Sequence, residues 1–367
     1  MSEEKVIENE NPVAEGDETE EPIPPNGMFR ADESRTGCYK SSGIEKCNGV
    51  KWKFLGRGEV SAPVWLDGKI FFGDRTGLHA IDTSNGSELW KFELEGGIQS
   101  APAVNESMVF IGGRKELFGL DINDGSEKWK FETPDQVDGT PLIKGDIVYF
   151  GCNDHYLYAV NFMTGELEWK CRTRGGIVGA PAIYKKNIFV GSLDENLYMI
   201  NLESGETQWK FRTGGMITGT PFVHDEIAVV TSWDWNIYAV NLKMGSERWM
   251  YETHGRIQGS PAVSEDSLVF GSEDGYLYCL DLNSGVEKWL FRTNDVVYTP
   301  SIANGKVYFG GKNQKFYCVD LKSGEEVWKY QLDAFPVSPP VIIDNVVFMA
   351  TWPMSFPRGY GSLYALI

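Results

Sequence analysis

Hydrophobic positions along this chain fall in short runs, not in helical periods. Val148-Tyr149-Phe150-Gly151 and Leu157-Tyr158-Ala159-Val160 are typical. Both are β-branched and aromatic, the composition of strands, and both are bounded by turn residues such as Lys144-Gly145-Asp146. No unit holds an amphipathic stretch of helix length, which excludes a helical solenoid. The runs come in register with tryptophan. Trp52, Trp90, Trp129, Trp169, Trp209, Trp249, Trp289 and Trp328 are spaced by 38 to 40 residues.

Seven of these tryptophans end one phrase: Asp or Asn, then Gly four residues later, then Trp four after that, from Asp82-Gly86-Trp90 to Asp320-Gly324-Trp328. The phrase has the chemistry of a hairpin. The Asp or Asn oxygen caps the turn, Gly takes its positive-φ position, and Trp returns on the outgoing strand to pack between neighbouring units. A proline follows each Trp by 11 or 12 residues, from Pro63 to Pro340, and two further strands lie between it and the next Asp or Asn. Each unit of about 40 residues thus predicts four antiparallel strands, a to d, the size of a propeller blade.

Seven units are complete. An eighth begins near Pro340 and supplies three strands (341–343, 346–350 and 363–366) but no Asp-Gly-Trp phrase. Trp52, in Val50-Lys51-Trp52-Lys53-Phe54, supplies the missing outer strand. The expected fold is therefore all-β: an eight-bladed β-propeller of four-stranded antiparallel blades, closed by pairing the N-terminal strand with the C-terminal blade, leaving no open edge in the ring.

The 42% hydrophobic content supplies a large core, and 41 Gly and 17 Pro suit many tight turns. Net charge is −18, of which residues 1–25 carry −8 from nine acids and Lys5. Residues 1–27 read as a disordered acidic tail and 28–367 as one propeller domain. An acidic body argues against nucleic acid and anionic membrane as partners. No apolar run is long enough to span a bilayer. No secretory signal is visible. Cys38, Cys47, Cys152, Cys171, Cys279 and Cys318 read as free thiols, with Cys38 and Cys47 the one pair near enough in sequence to suspect of bridging. Free thiols and the missing signal lead to the expectation of a cytoplasmic location; a monomer is expected.

The repeated phrase, preceded by segments such as Gly271-Ser272-Glu273-Asp274-Gly275-Tyr276-Leu277-Tyr278-Cys279, resembles the PQQ-like repeat, and Met28-Phe29-Arg30 and Arg35-Thr36-Gly37 resemble its opening segment. The resemblance covers about 28–367 and implies the fold more than the function. It implies two kinds of relative: quinoprotein dehydrogenases using pyrroloquinoline quinone (PQQ) and Ca²⁺, and non-enzymatic propellers such as the outer-membrane assembly lipoprotein. This chain lacks the adjacent Cys-Cys pair and the long insertions of the enzymes, and no Glu-Asn-Asp set for Ca²⁺ stands out. No PQQ or calcium is therefore expected.

Residues departing from the repeat on b–c hairpins and d–a connections, which share one face, are the candidate site, because repeated residues are explained by folding. Blade 5 carries Trp233 and Trp235. Blade 8 carries an insertion with Trp352, Phe356, Arg358 and Tyr360. Arg75, Arg114, His155 and Tyr156 lie on other b–c hairpins, and Arg57, Arg174, His254 and Arg256 on d–a connections. Exposed Trp, Tyr and Arg favour partner binding. His79 replaces the tyrosine of its strand and reads as a packed histidine. No catalytic residue and no metal ligand set is assigned, and zinc, Walker A and dinucleotide patterns are missing. The expectation is a non-catalytic propeller binding a protein or peptide. The alternatives are a quinoprotein-like oxidoreductase and a small-ligand or carbohydrate sensor.

Overall fold

The computed structural model describes residues 28–98, 100–354 and 359–367. The proposed tail, 1–27, lies outside them. Among the described residues every regular element is a strand, and no helix is long and apolar enough to cross a membrane. The strands form eight sheets. In blade 3 strands a to d are Leu142–Lys144, Ile147–Gly151, Tyr156–Asn161 and Leu167–Arg172, each antiparallel to the next. Strand a is innermost and strand d outermost. The b–c hairpins and d–a connections emerge on one face, the a–b and c–d turns on the other.

The expected turn chemistry holds. In blade 3 the register shifts by one residue beside Trp169, where Ala159 pairs Trp169 and Val160 pairs Leu167. The phrase glycines take positive φ, 71° at Gly165 and 70° at Gly205. Each phrase also docks on the tryptophan of the preceding blade. A Cβ on Gly86, Gly125, Gly165, Gly205, Gly245, Gly285 or Gly324 would sit 2.5–2.8 Å from that ring, and the indole N–H donates to a carbonyl just upstream, as from Trp129 to Phe162 (2.9 Å) and Trp209 to Leu242 (2.8 Å). One residue type therefore serves both backbone conformation and close approach.

Closure is as expected. Val50–Leu55 pairs antiparallel with Ser362–Leu366, which pairs with Val346–Trp352. The Trp52 indole donates to Thr83 of blade 1 at 2.9 Å. Lys53 and Asp333 add an ion pair of 2.7 Å. Strand b of blade 8 runs to Trp352, two residues further than the sequence suggested, because Phe335–Pro336 pairs with its end.

The segment before the first blade does more than the repeat revealed. Cys38–Tyr39 adds in parallel to strand a of blade 7, Ser301–Ala303. Residues 33–37 form a strap across the inner strands. The N–H groups of Ile183, Val223, Val263 and Ile302, in blades 4 to 7, donate to the carbonyls of Glu33, Ser34, Thr36 and Gly37 at 2.8–3.1 Å. Arg30 and Arg35 are 2% and 1% exposed. Arg35 Nε donates to the Pro181 carbonyl at 2.9 Å, and Arg30 reaches those of Pro261 and Pro300. Burial lowers their pKa to about 10 for Arg30 and about 9 for Arg35, so both stay charged at neutral pH. The Trp328 indole, facing the one blade without the phrase, donates instead to Ile44 at 3.2 Å. All six cysteines are free, Cys38 and Cys47 included.

Candidate functional site

The face bearing the b–c hairpins is built on a repeated clamp. In blades 3 to 6 the hairpin aspartates Asp154, Asp194, Asp234 and Asp274 accept a hydrogen bond from the tyrosine hydroxyl four residues on, at 2.5–2.7 Å. Asp194, Asp234 and Asp274 also accept from the backbone N–H of Arg174, Gly214 and His254 in the preceding d–a connection, at 2.6–3.0 Å. The clamp fixes the loops and leaves the side chains of Arg174 and His254 exposed.

The candidates separate into two sets on this scaffold. His155 and Trp235 hold the same left-handed position of their hairpins, with φ of 76° and 74°. Their carbonyls accept from Thr173 and Thr253 at the end of strand d. The side chain at this position in blade 4, Glu195, pairs with Arg212 of the outer strand at 2.9 Å. Tyr156 packs outward, under the Lys170 ammonium at 4.7 Å. His155, Tyr156 and Trp235 therefore belong to the outer rim, a division that leaves no mark in the repeat pattern. Trp235 is 48% exposed.

The second set surrounds the channel mouth. Trp233 is half-buried: its indole donates to Thr218 at 2.9 Å and Arg256 lies over its ring at 5.1 Å. It is a support for Arg256, not the exposed ring that the sequence suggested. Trp352 is 42% exposed and lines two cavities. One, of about 350 Å³, is bounded by Arg256, Gln258, Glu273, Tyr298 and Lys312. The other, of about 290 Å³, is bounded by Glu59, Ile98, Asp138 and Val178. Tyr360, 63% exposed, pairs with Gly58 in the adjoining d–a connection. Arg75 packs against Gly58 and Gly97, and Arg114 against Gly96. Phe356 and Arg358 lie outside the described residues.

The mouth is electrostatically two-sided. Arg256 and Lys312 flank one cavity, Glu59 and Asp138 the other. Burial pushes both carboxyls up, with Arg75 opposing at Glu59 and the Asn153 amide opposing at Asp138. Glu59, Asp138 and Lys312 were not among the candidates; each falls where blades differ from one another, which was the usable signal. Among the described residues no three His, Cys, Asp or Glu side chains gather as metal ligands.

The sequence model of the family described as outer membrane protein assembly factor BamB matches residues 49–176 and 169–366. No functionally curated protein matches the chain in sequence. Among solved structures, BamB from Moraxella catarrhalis is 17% identical with a TM-score of 0.72, covering 86% of this chain and 97% of its own. A europium-containing methanol dehydrogenase is 12% identical with a TM-score of 0.80, covering 93% and 98%. The quinohemoprotein alcohol dehydrogenase of Comamonas testosteroni is 12% identical with a TM-score of 0.77, covering 91% and 79%. At these identities the structures share the fold.

The family match corrects the cytoplasmic expectation, since the family's description is of an outer-membrane assembly factor. Free thiols do not fix the compartment: Cys152, Cys171, Cys279 and Cys318 are each buried among strands and packed as small apolar side chains. With eight PQQ-like blades and the family's sequence pattern over most of its length, the chain belongs to the BamB family of β-propellers.

Proposed function

We propose that this propeller is a non-catalytic protein-binding module that engages its partner through the channel mouth, with Trp352 as the anchor. The observation carrying this reading is the position of Trp352: a large, exposed ring between a cavity where Arg256 and Lys312 outnumber Glu273 and a cavity lined by Glu59 and Asp138. Interface hot spots favour such a placement, an aromatic anchor flanked by charged groups that set orientation. Arg256 and Lys312 would meet an acidic loop of the partner, and Tyr360 would extend the contact toward blade 1. The reading involves neither quinone nor calcium.

The test replaces Trp352 with a photo-crosslinking amino acid in the native cell, and Leu167 on an outer strand in a control. A discrete crosslinked partner from position 352 and none from 167 is expected. Trp352→Ala should then weaken that partner at least ~30-fold, the effect of losing about 2 kcal/mol, with an unchanged melting temperature. Unaltered affinity would remove Trp352 from the site. A quinone absorbance retained through gel filtration after loading with PQQ and Ca²⁺ would replace the reading with an oxidoreductase.

A further inference from the structure

The opposite face holds a larger cleft, about 750 Å³, under the a–b turns of blades 1 to 3. Phe29 and Arg35 of the N-terminal segment form one wall, and Leu66, Val104, Leu142 and Ile143 the other. We propose that the uncharged stretch immediately before Met28, residues 22–27, seats in this cleft as an extended strand and carries the strap onward across the inner strands of blades 3 and 2.

Three observations converge. The first is hydrogen bonding. The inner strands of blades 4 to 7 each direct one N–H to a strap carbonyl. Ile143 and Val104 hold the same place in blades 3 and 2, two residues after the blade's proline. They face Val148 and Val109 in the same register in which Ile183 faces Ile188, and among the described residues no acceptor outside their own sheets meets their N–H groups. Val104 is 3% exposed, and a buried N–H without a partner is costly.

The second is the chemistry of the segment. Every backbone hydrogen bond between residues 33–37 and the inner strands is an inner-strand N–H donating to a strap carbonyl, so the strap backbone needs only acceptors. Pro22-Ile23-Pro24-Pro25-Asn26-Gly27 supplies carbonyls, has no N–H at three positions, and favours an extended backbone. It offers Ile23 to an apolar lining. The lining carries Glu33, Asp67 and Glu106 against Arg35 and Lys144, an acidic excess that disfavours the acidic residues preceding the segment and leaves the neutral stretch as the better fit.

The third is connectivity. Met28 itself lines the cleft, so Gly27 is one peptide bond from it. Residues 33–37 cross four inner strands; six residues are enough for two more. Attachment gives the segment a local concentration that a free ligand lacks.

Amide hydrogen exchange decides the matter in three chains: full length, full length with Ile23→Asp, and a chain starting at Met28. The amides of Val104 and Ile143 should be protected in the first and exchange at least about tenfold faster in the other two, the mark of a locally released strand. A fluorescein-labelled peptide of residues 18–27 should bind the shortened chain saturably, bind the full-length chain at least about tenfold more weakly, and fail to bind either when it carries Ile23→Asp. Equal exchange in all three chains overturns the proposal, as does a shortened chain that binds no peptide. Equal peptide binding by the full-length and shortened chains also overturns it, and leaves the cleft to an outside ligand.

Discussion

Strand c of blade 1 carries His79 where six other blades carry tyrosine. Its ring stacks on Phe72 at 5.1 Å, and its two nitrogens reach Asp74 at 3.1 Å and Glu88 at 2.7 Å. Burial alone would raise the Asp74 carboxyl. Hydrogen bonds from His79, Thr76 and the Arg57 N–H outweigh it and hold the pKa at about 2. The folded value lies below the ordinary one of 3.8, so this stabilisation is complete above that value and disappears as pH falls toward 2. Asp74→Asn should therefore flatten the acid limb of stability against pH in urea titrations. His79→Phe keeps the stacking but strands Asp74, and should cost about 1–3 kcal/mol at neutral pH. The packed state of His79 was legible because it occupies a tyrosine's place. Its partner was not: the shortened hairpin of blade 1 puts Asp74 five residues before it, whereas Asp154 precedes Tyr158 by four.

Each blade presents strand d as an outer edge. The residue after the signature tryptophan is lysine in six blades (Lys53, Lys91, Lys130, Lys170, Lys210 and Lys329), but Met250 and Leu290 in blades 5 and 6. Lysine on an edge discourages pairing with another chain. Met250 and Leu290 are 47% and 43% exposed, so converting both to lysine should change stability by less than about 0.5 kcal/mol while lowering any self-association in sedimentation at high concentration. The c–d turns tolerate less. Gly205→Ala would force alanine to φ +70° with its Cβ 2.7 Å from Trp169. A loss of roughly 2–3 kcal/mol is expected in denaturant unfolding. The strands and turns could be read from sequence because the phrase recurs in register. Residues 28–47 could not, since a segment that occurs once has no second copy to reveal its contacts. For the same reason the repeat gave the face of the candidate site but not its division into rim and mouth, which depends on whether a hairpin residue such as Trp235 turns toward strand d.

Ring closure joins chain ends that are far apart in sequence. The Ile367 carbonyl accepts from the N–H of Gly49 at 3.2 Å, and the Gly49 carbonyl accepts from Ile367 at 3.0 Å. A chain starting at Gly56 loses strand d of blade 8 and exposes the face of Ser362–Leu366 that Val50–Leu55 covers. It should show no single cooperative melting transition, and a peptide of residues 40–55 supplied in trans should restore one.

The strap has a consequence for biosynthesis. Its docking sites at Val263 and Ile302, and the partner of Val50–Leu55 near residue 364, are translated long after the strap itself. Residues 33–55 therefore leave the ribosome before the last strands they dock on exist. Nascent chains stalled short of the final blade should remain sensitive to protease within residues 28–55, and resistance should appear only after release.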